Sequence, residues 1–205
     1  MQRIFSSVLV GLVFSTSALA DCPTPYTAAQ LGTDLSSMST ALRSANSSAF
    51  QESGQAMTEG LRCVDAPLAP VVLANVYRYA GLNAYFSGDT EGAKKWFRTA
   101  LELDPTYDWD VSEVSVEDPI RPLFEAERAQ GDRMPISIEG NQTLNVPDTH
   151  RLLVDGRVLR EPKLTPDRPH LVQLVRKASN SVESVWVIDG TNLPGSLLAV
   201  PSGEA

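Results

Sequence analysis

Apolar positions recur every three or four residues through the first two thirds of the chain, then give way to short runs broken by Pro, Gly and Asp beyond residue 131. The first regime is the signature of amphipathic helices and the second that of short strands. Leu31, Leu35, Met38 and Leu42 form one stripe and predict a helix from about Thr27 to Ala45. Asn46-Ser47-Ser48 interrupts it, and Phe50, Met57 and Leu61 predict a second helix ending near Cys63. Asp65 and Pro67 offer a start for a third, running through Phe86, while Asp89 caps a fourth that stops at Pro105. A fifth helix is expected from Pro119 to Ala129, with Asp118 ahead of it as cap. The acidic stretch 108–117 between them reads as irregular. Strands are expected at Ile136–Glu139, Leu152–Val154, Leu171–Arg176 and Val182–Ile188, with Asp155-Gly156 as a hairpin turn. The fold class is therefore α+β, with a boundary near residues 131–135.

Within the helical part, residues 74–107 carry a finer pattern. Tyr77, Ala80, Gly81 and Ala84 share a face of the third helix, Gly88-Asp89 turns the chain, and Ala93, Phe97 and Ala100 line the return. Small residues let two helices cross closely while the aromatic rings fill the space between them. This 34-residue spacing resembles a tetratricopeptide (TPR) repeat. The resemblance implies that residues 21–131 form TPR-like helical hairpins, the first two helices acting as a degenerate repeat. A lone repeat leaves an apolar face to cover, so self-association is a further expectation. It also implies a ligand groove on the first helix of the pair, where Asn75, Arg78, Leu82, Tyr85 and Phe86 occupy the non-core positions. One cation, one amide and two aromatics suit an extended peptide with an acidic or carboxylate group. The family's carboxylate clamp is not reproduced, because Leu82 stands where that clamp places Asn. The alternative is that neighbouring elements cover this face and Tyr85 and Phe86 are core.

The β region resembles a PEGA-type domain, a small sandwich of bacterial envelope proteins. The matching residues are Val146-Pro147-Asp148, Leu152 through Gly156, Pro162, Leu164, Pro166, and Pro169 through Val175. Arg176-Lys177 departs from that pattern, where a Gly-aromatic pair is common. The resemblance implies a β-sandwich-like domain over residues 135–200.

Residues 1–20 read as a signal peptide: Arg3 is the only charge, Ile4 to Phe14 is mostly apolar, and Ala18-Leu19-Ala20 is a cleavage signal before Asp21. The apolar run is shorter than the roughly 20 residues a spanning helix needs, so no membrane span is expected after cleavage. A lipoprotein is the lesser reading, since Asp21 precedes Cys22 where such signals carry a small residue. Export to the periplasm or beyond makes Cys22 and Cys63, the only two cysteines, candidates for a disulfide.

Charge narrows the partners. With 17 basic and 25 acidic residues the chain has a net charge of −8, and it has no cluster of Lys or Arg. Nucleic acid and anionic membrane surfaces are thereby disfavoured. His150 and His170, the only histidines, lie beside turn residues outside any metal-binding spacing and read as surface or strand-edge positions. Asp104, Asp108, Asp110 and Glu113 lack the Asp-x-Asp-x-Asp-Gly order of a calcium loop and read as a solvated connection. With no cofactor motif and no nucleophile constellation, the expectation is a non-enzymatic envelope adaptor for a protein partner. The alternative is a glycan or peptidoglycan binder acting through the β region, where Trp186 is the sole tryptophan.

Overall fold

The structure is a computed structural model that describes residues 22, 24–131, 134–138 and 142–199. The proposed leader and the start at Asp21 lie outside the described residues.

Among the described residues five α-helices precede the strands: α1 (Ala28–Arg43), α2 (Ser47–Gly60), α3 (Pro70–Phe86), α4 (Thr90–Leu103) and α5 (Ile120–Ala129). Their starts follow from local chemistry. Thr27 and Gln30 form a capping box on α1, while Asn46 and Asp89 accept from Ala49 and Gly92 N–H to cap α2 and α4. The Asp118 carboxylate accepts from Ile120 N–H at 2.9 Å, as expected for the fifth helix. α3 begins later than Asp65 or Pro67 implied. Pro70 occupies its first turn, and residues before it run extended to reach the sheet, where Leu68 N–H donates to Gln173 Oε1 at 3.1 Å.

α1 pairs with α2 and α3 with α4 as two helical hairpins that stack through α2 and α3. Gly81 permits the tighter crossing: a Cβ there would lie 2.4 Å from the Phe97 ring, itself fully buried. Gly81→Ala is therefore expected to destabilise by about 1–3 kcal/mol, since the ring has nowhere to go. Gly32→Ala, at an exposed site on α1 with open space, should instead stabilise by up to about 1 kcal/mol. Urea denaturation of both variants checks the contrast, and equal midpoints would remove the packing argument.

Eight strands follow among the described residues. β3 (His150–Val154), β4 (Arg157–Val158), β6 (Pro169–Arg176) and β7 (Val182–Asp189) form an antiparallel sheet in the order β4-β3-β6-β7. The two-residue strands β1 (Ile136–Ser137) and β5 (Lys163–Leu164) pair with one another, as do β2 (Thr143–Leu144) and β8 (Leu198–Ala199). Asp155 and Gly156, at φ of 50° and 77°, form the two-residue turn between β3 and β4, with Val154 opposite Arg157.

One sheet face covers the second core, built around Ile138, Leu152, Val154, Leu164, Val172, Leu193 and Leu197. The other face joins the helices: Leu171 and Val185 belong to the same apolar cluster as Tyr77, Phe97 and Phe124. The change of secondary structure near residue 131 is thus not a gap in the core.

Cys22 and Cys63 lie at disulfide distance, with sulfurs 2.11 Å and Cα atoms 5.5 Å apart. The segment they tie down is further held by Tyr26, which bridges Val64 and whose hydroxyl donates to Asp34 at 2.5 Å.

Candidate functional site

The five residues of the expected groove do not share one surface. α3 is enclosed on nearly all sides, with Leu73, Ala74 and the whole run from Val76 to Leu82 buried. Leu82 is inaccessible to solvent. Arg78 is only 4% exposed: its Nη1 donates to Asp104 at 3.2 Å, its Nη2 to the Asn75 side-chain oxygen, and its guanidinium carbon lies 3.6 Å from the Tyr107 ring centroid. Burial lowers its pKa from the ordinary arginine value, with Tyr107 and Asp104 acting in the opposite sense. Asn75 and Arg78 are therefore brought together, but inwardly, as a tie between α3 and the end of α4. The expectation that Arg78 and Leu82 face a ligand is corrected by this burial.

Tyr85 and Phe86 sit at the other end of α3. Phe86 meets Phe50 edge-on at 5.5 Å between centroids and Tyr85 at 5.8 Å, yet remains 43% exposed while Tyr85 is half-buried. Two surface depressions flank Phe86. One, of about 630 Å³, runs between α2 and α3 past Gln51, Gln55, Glu59 and Asn83. The other, of about 490 Å³, is lined by Leu42, Asn46, Phe50, Glu113 and Asp118. Every charged side chain lining either depression is an acid. The Asn83 side-chain oxygen is buried between the helices without a donor. An exposed aromatic beside carboxamides and carboxylates suits a segment carrying an apolar and a basic side chain, the opposite charge to that implied by a free Arg78.

The acidic stretch before α5 is occupied by local bonds. Asp104 pairs with Arg78, Asp108 with Arg121 at 3.3 Å, Asp110 accepts from Ser112 N–H at 2.8 Å, and Glu113 accepts from Ser39 and Tyr79 hydroxyls. Among the described residues no three His, Cys, Asp or Glu side chains are grouped to hold a metal ion.

A polar network between helices and sheet escaped the sequence reading. Tyr77 OH donates to Asp155 Oδ1 at 2.5 Å, Asp155 Oδ1 also accepts from Leu171 N–H at 3.0 Å, and Asp155 Oδ2 meets His170 Nδ1 at 2.6 Å. His170 Nε2 donates to the Thr165 carbonyl at 2.8 Å. Tyr77, Asp155 and His170 are 1%, 5% and 1% exposed, so His170 is not a surface histidine. Burial, with Asp155 adding to it, pushes the Tyr77 phenol well above its ordinary pKa. Sealed from solvent, the three groups tie α3, the β3–β4 turn and β6 together. Trp186 packs half-buried against the second core, and His150 sits at the start of β3 against Glu183.

Comparison with protein-family models, with curated proteins and with solved structures gives no match. No helix among the described residues is long and apolar enough to cross a membrane.

Proposed function

We propose that this chain is an exported adaptor whose paired helical hairpins, arranged in the manner of TPR repeats, hold an extended segment of an envelope protein across Phe86. The observation that carries the reading is the exposure of Phe86 at the meeting of two depressions lined by amides and acids. A large aromatic already braced by Phe50 and Tyr85 is a rigid anchor that loses little freedom on binding. The leader-like residues 1–20 and the Cys22–Cys63 pair support placement outside the cytoplasm. The acid-lined surface favours a partner segment with Lys or Arg beside an apolar side chain.

A photo-crosslinking residue at position 86 identifies the partner in intact cells, and its affinity is then measured with purified variants. Phe86→Ala is expected to weaken binding by about 1–2 kcal/mol with unchanged circular dichroism, whereas Val158→Ala, on the exposed strand β4, should bind normally. A folded Phe86→Ala protein with undiminished affinity would remove this surface from consideration.

A further inference from the structure

A third depression lies on a different part of the molecule, where the ends of α4 and α5 meet the loop between β5 and β6. It holds about 60 Å³, room for a few waters or one small polyatomic group, and is lined by Arg98, Arg128, Arg168, Glu102, Glu127 and Thr165 among others. Three guanidiniums and two carboxylates line it, in a chain of net charge −8.

The pairing is asymmetric. Arg98 is bound to Glu127, which is 4% exposed and whose Oε2 also accepts from Gln130 at 2.9 Å, so that oxygen is engaged twice. Arg128 reaches the Tyr107 carbonyl and, at 3.3 Å, the solvent-facing Glu125. Arg168 is the most deeply placed of the three at 5% exposed; among the described residues its ion-pair partner is Glu102, and its Nε is sealed from water without an acceptor. The Arg128 Nε is likewise without one. Burial lowers the Arg168 pKa to about 10, as expected of a guanidinium whose lost hydration is incompletely replaced. An under-satisfied, nine-tenths-buried fork donor on the cavity wall calls for a planar acceptor with two oxygens.

We propose that this cavity binds a carboxylate group, held by Arg168 and Arg98, with Glu102 as the internal competitor that occupies Arg168 when the site is empty. The carboxylate can belong to a small free acid or to the C-terminus of a peptide, which share this chemistry. The inference is independent of the Phe86 surface, which lies at the other end of α3.

Arginine side-chain resonances in the isotopically labelled full chain are followed while adding acetate, a tripeptide with a free C-terminus, the same tripeptide amidated, or chloride. The expected result is a saturable shift of the Arg168 Nε–H with acetate and none with chloride. Tighter binding of the free tripeptide than of acetate, lost on amidation, assigns the carboxylate to a chain end; equal binding assigns it to small acids. Glu102→Gln, at a partly exposed position, removes the competitor and should tighten binding about tenfold, and Arg98→Gln should weaken it about tenfold. The proposal is overturned by a response to chloride equal to that of acetate, by no saturable shift with either carboxylate, or by a folded Glu102→Gln protein with unchanged affinity.

Discussion

Asp155→Ala should lower the unfolding free energy by about 3–5 kcal/mol, a large share of the 5–15 kcal/mol typical of a domain. The carboxylate accepts from the Tyr77 hydroxyl and Leu171 N–H and meets His170 Nδ1, all out of reach of water. Removing it takes the acceptor from the Tyr77 hydroxyl and the buried partner from the His170 ring, while Leu171 N–H keeps only the Tyr77 oxygen at 3.1 Å, and the unpaired groups then bear their own desolvation cost. Tyr77→Phe deletes one donor and leaves the carboxylate its other partners, so a smaller loss of about 1–2 kcal/mol is expected. Because the network lies between helices and sheet, helical circular dichroism and the fluorescence of Trp186 should report the same shifted transition. A shift below about 1 kcal/mol for Asp155→Ala, or one confined to a single probe, would mean that the two halves are not joined there.

The helices are legible because their apolar residues repeat at three- and four-residue spacing over several turns and because their starts are marked by Thr27, Asn46, Asp89 and Asp118. The Asp155-Gly156 turn was legible from two residues. Strands β2, β4, β5 and β8 were not, since a strand of two residues carries no alternation to detect. The start of α3 was misplaced because Pro67 and Pro70 are equivalent as local signals. Only the sheet, by pulling Leu68 onto Gln173, decides between them.

The candidate site shows the limit more sharply. The TPR resemblance places Asn75, Arg78 and Leu82 on an open face, which requires a helix with one solvent side. Yet Leu73, Ala74, Val76, Tyr77, Tyr79, Ala80 and Leu82 leave α3 apolar almost all round, the mark of a central helix, and that signal was present in the sequence. Phe86 at the C-terminal end of such a helix is where exposure returns. The Tyr77–Asp155–His170 network had no comparable signal: its members are separated by 78 and 15 residues and read individually as packing, turn and strand edge. Arg168 and Glu102 converge in the same way, through the docking of the sheet on α4 rather than through spacing.

Loss of the Cys22–Cys63 link is expected to cost about 3–4 kcal/mol, because the bridge closes a loop spanning 41 residues and so restricts the unfolded chain. The native contacts around it add a local consequence. Tyr26 N–H donates to the Cys63 carbonyl at 2.8 Å, Asp65 N–H to the Tyr26 carbonyl at 3.2 Å, and Val182 N–H to the Asp65 carbonyl at 3.4 Å. The tied N-terminal segment is thereby stacked onto the edge of β7 through residues 63–65. Cys22→Ser/Cys63→Ser should therefore unfold at lower urea and also expose the backbone of residues 24–26 and 63–65 to hydrogen exchange before the helical hairpins open. Protein recovered from the cell exterior should resist alkylation until reduced, and its reduction should reproduce the stability of the double variant. Two thiols that alkylate without reductant, or a double variant as stable as the parent, would show that the N-terminal segment is held by Tyr26 and its hydrogen bonds alone.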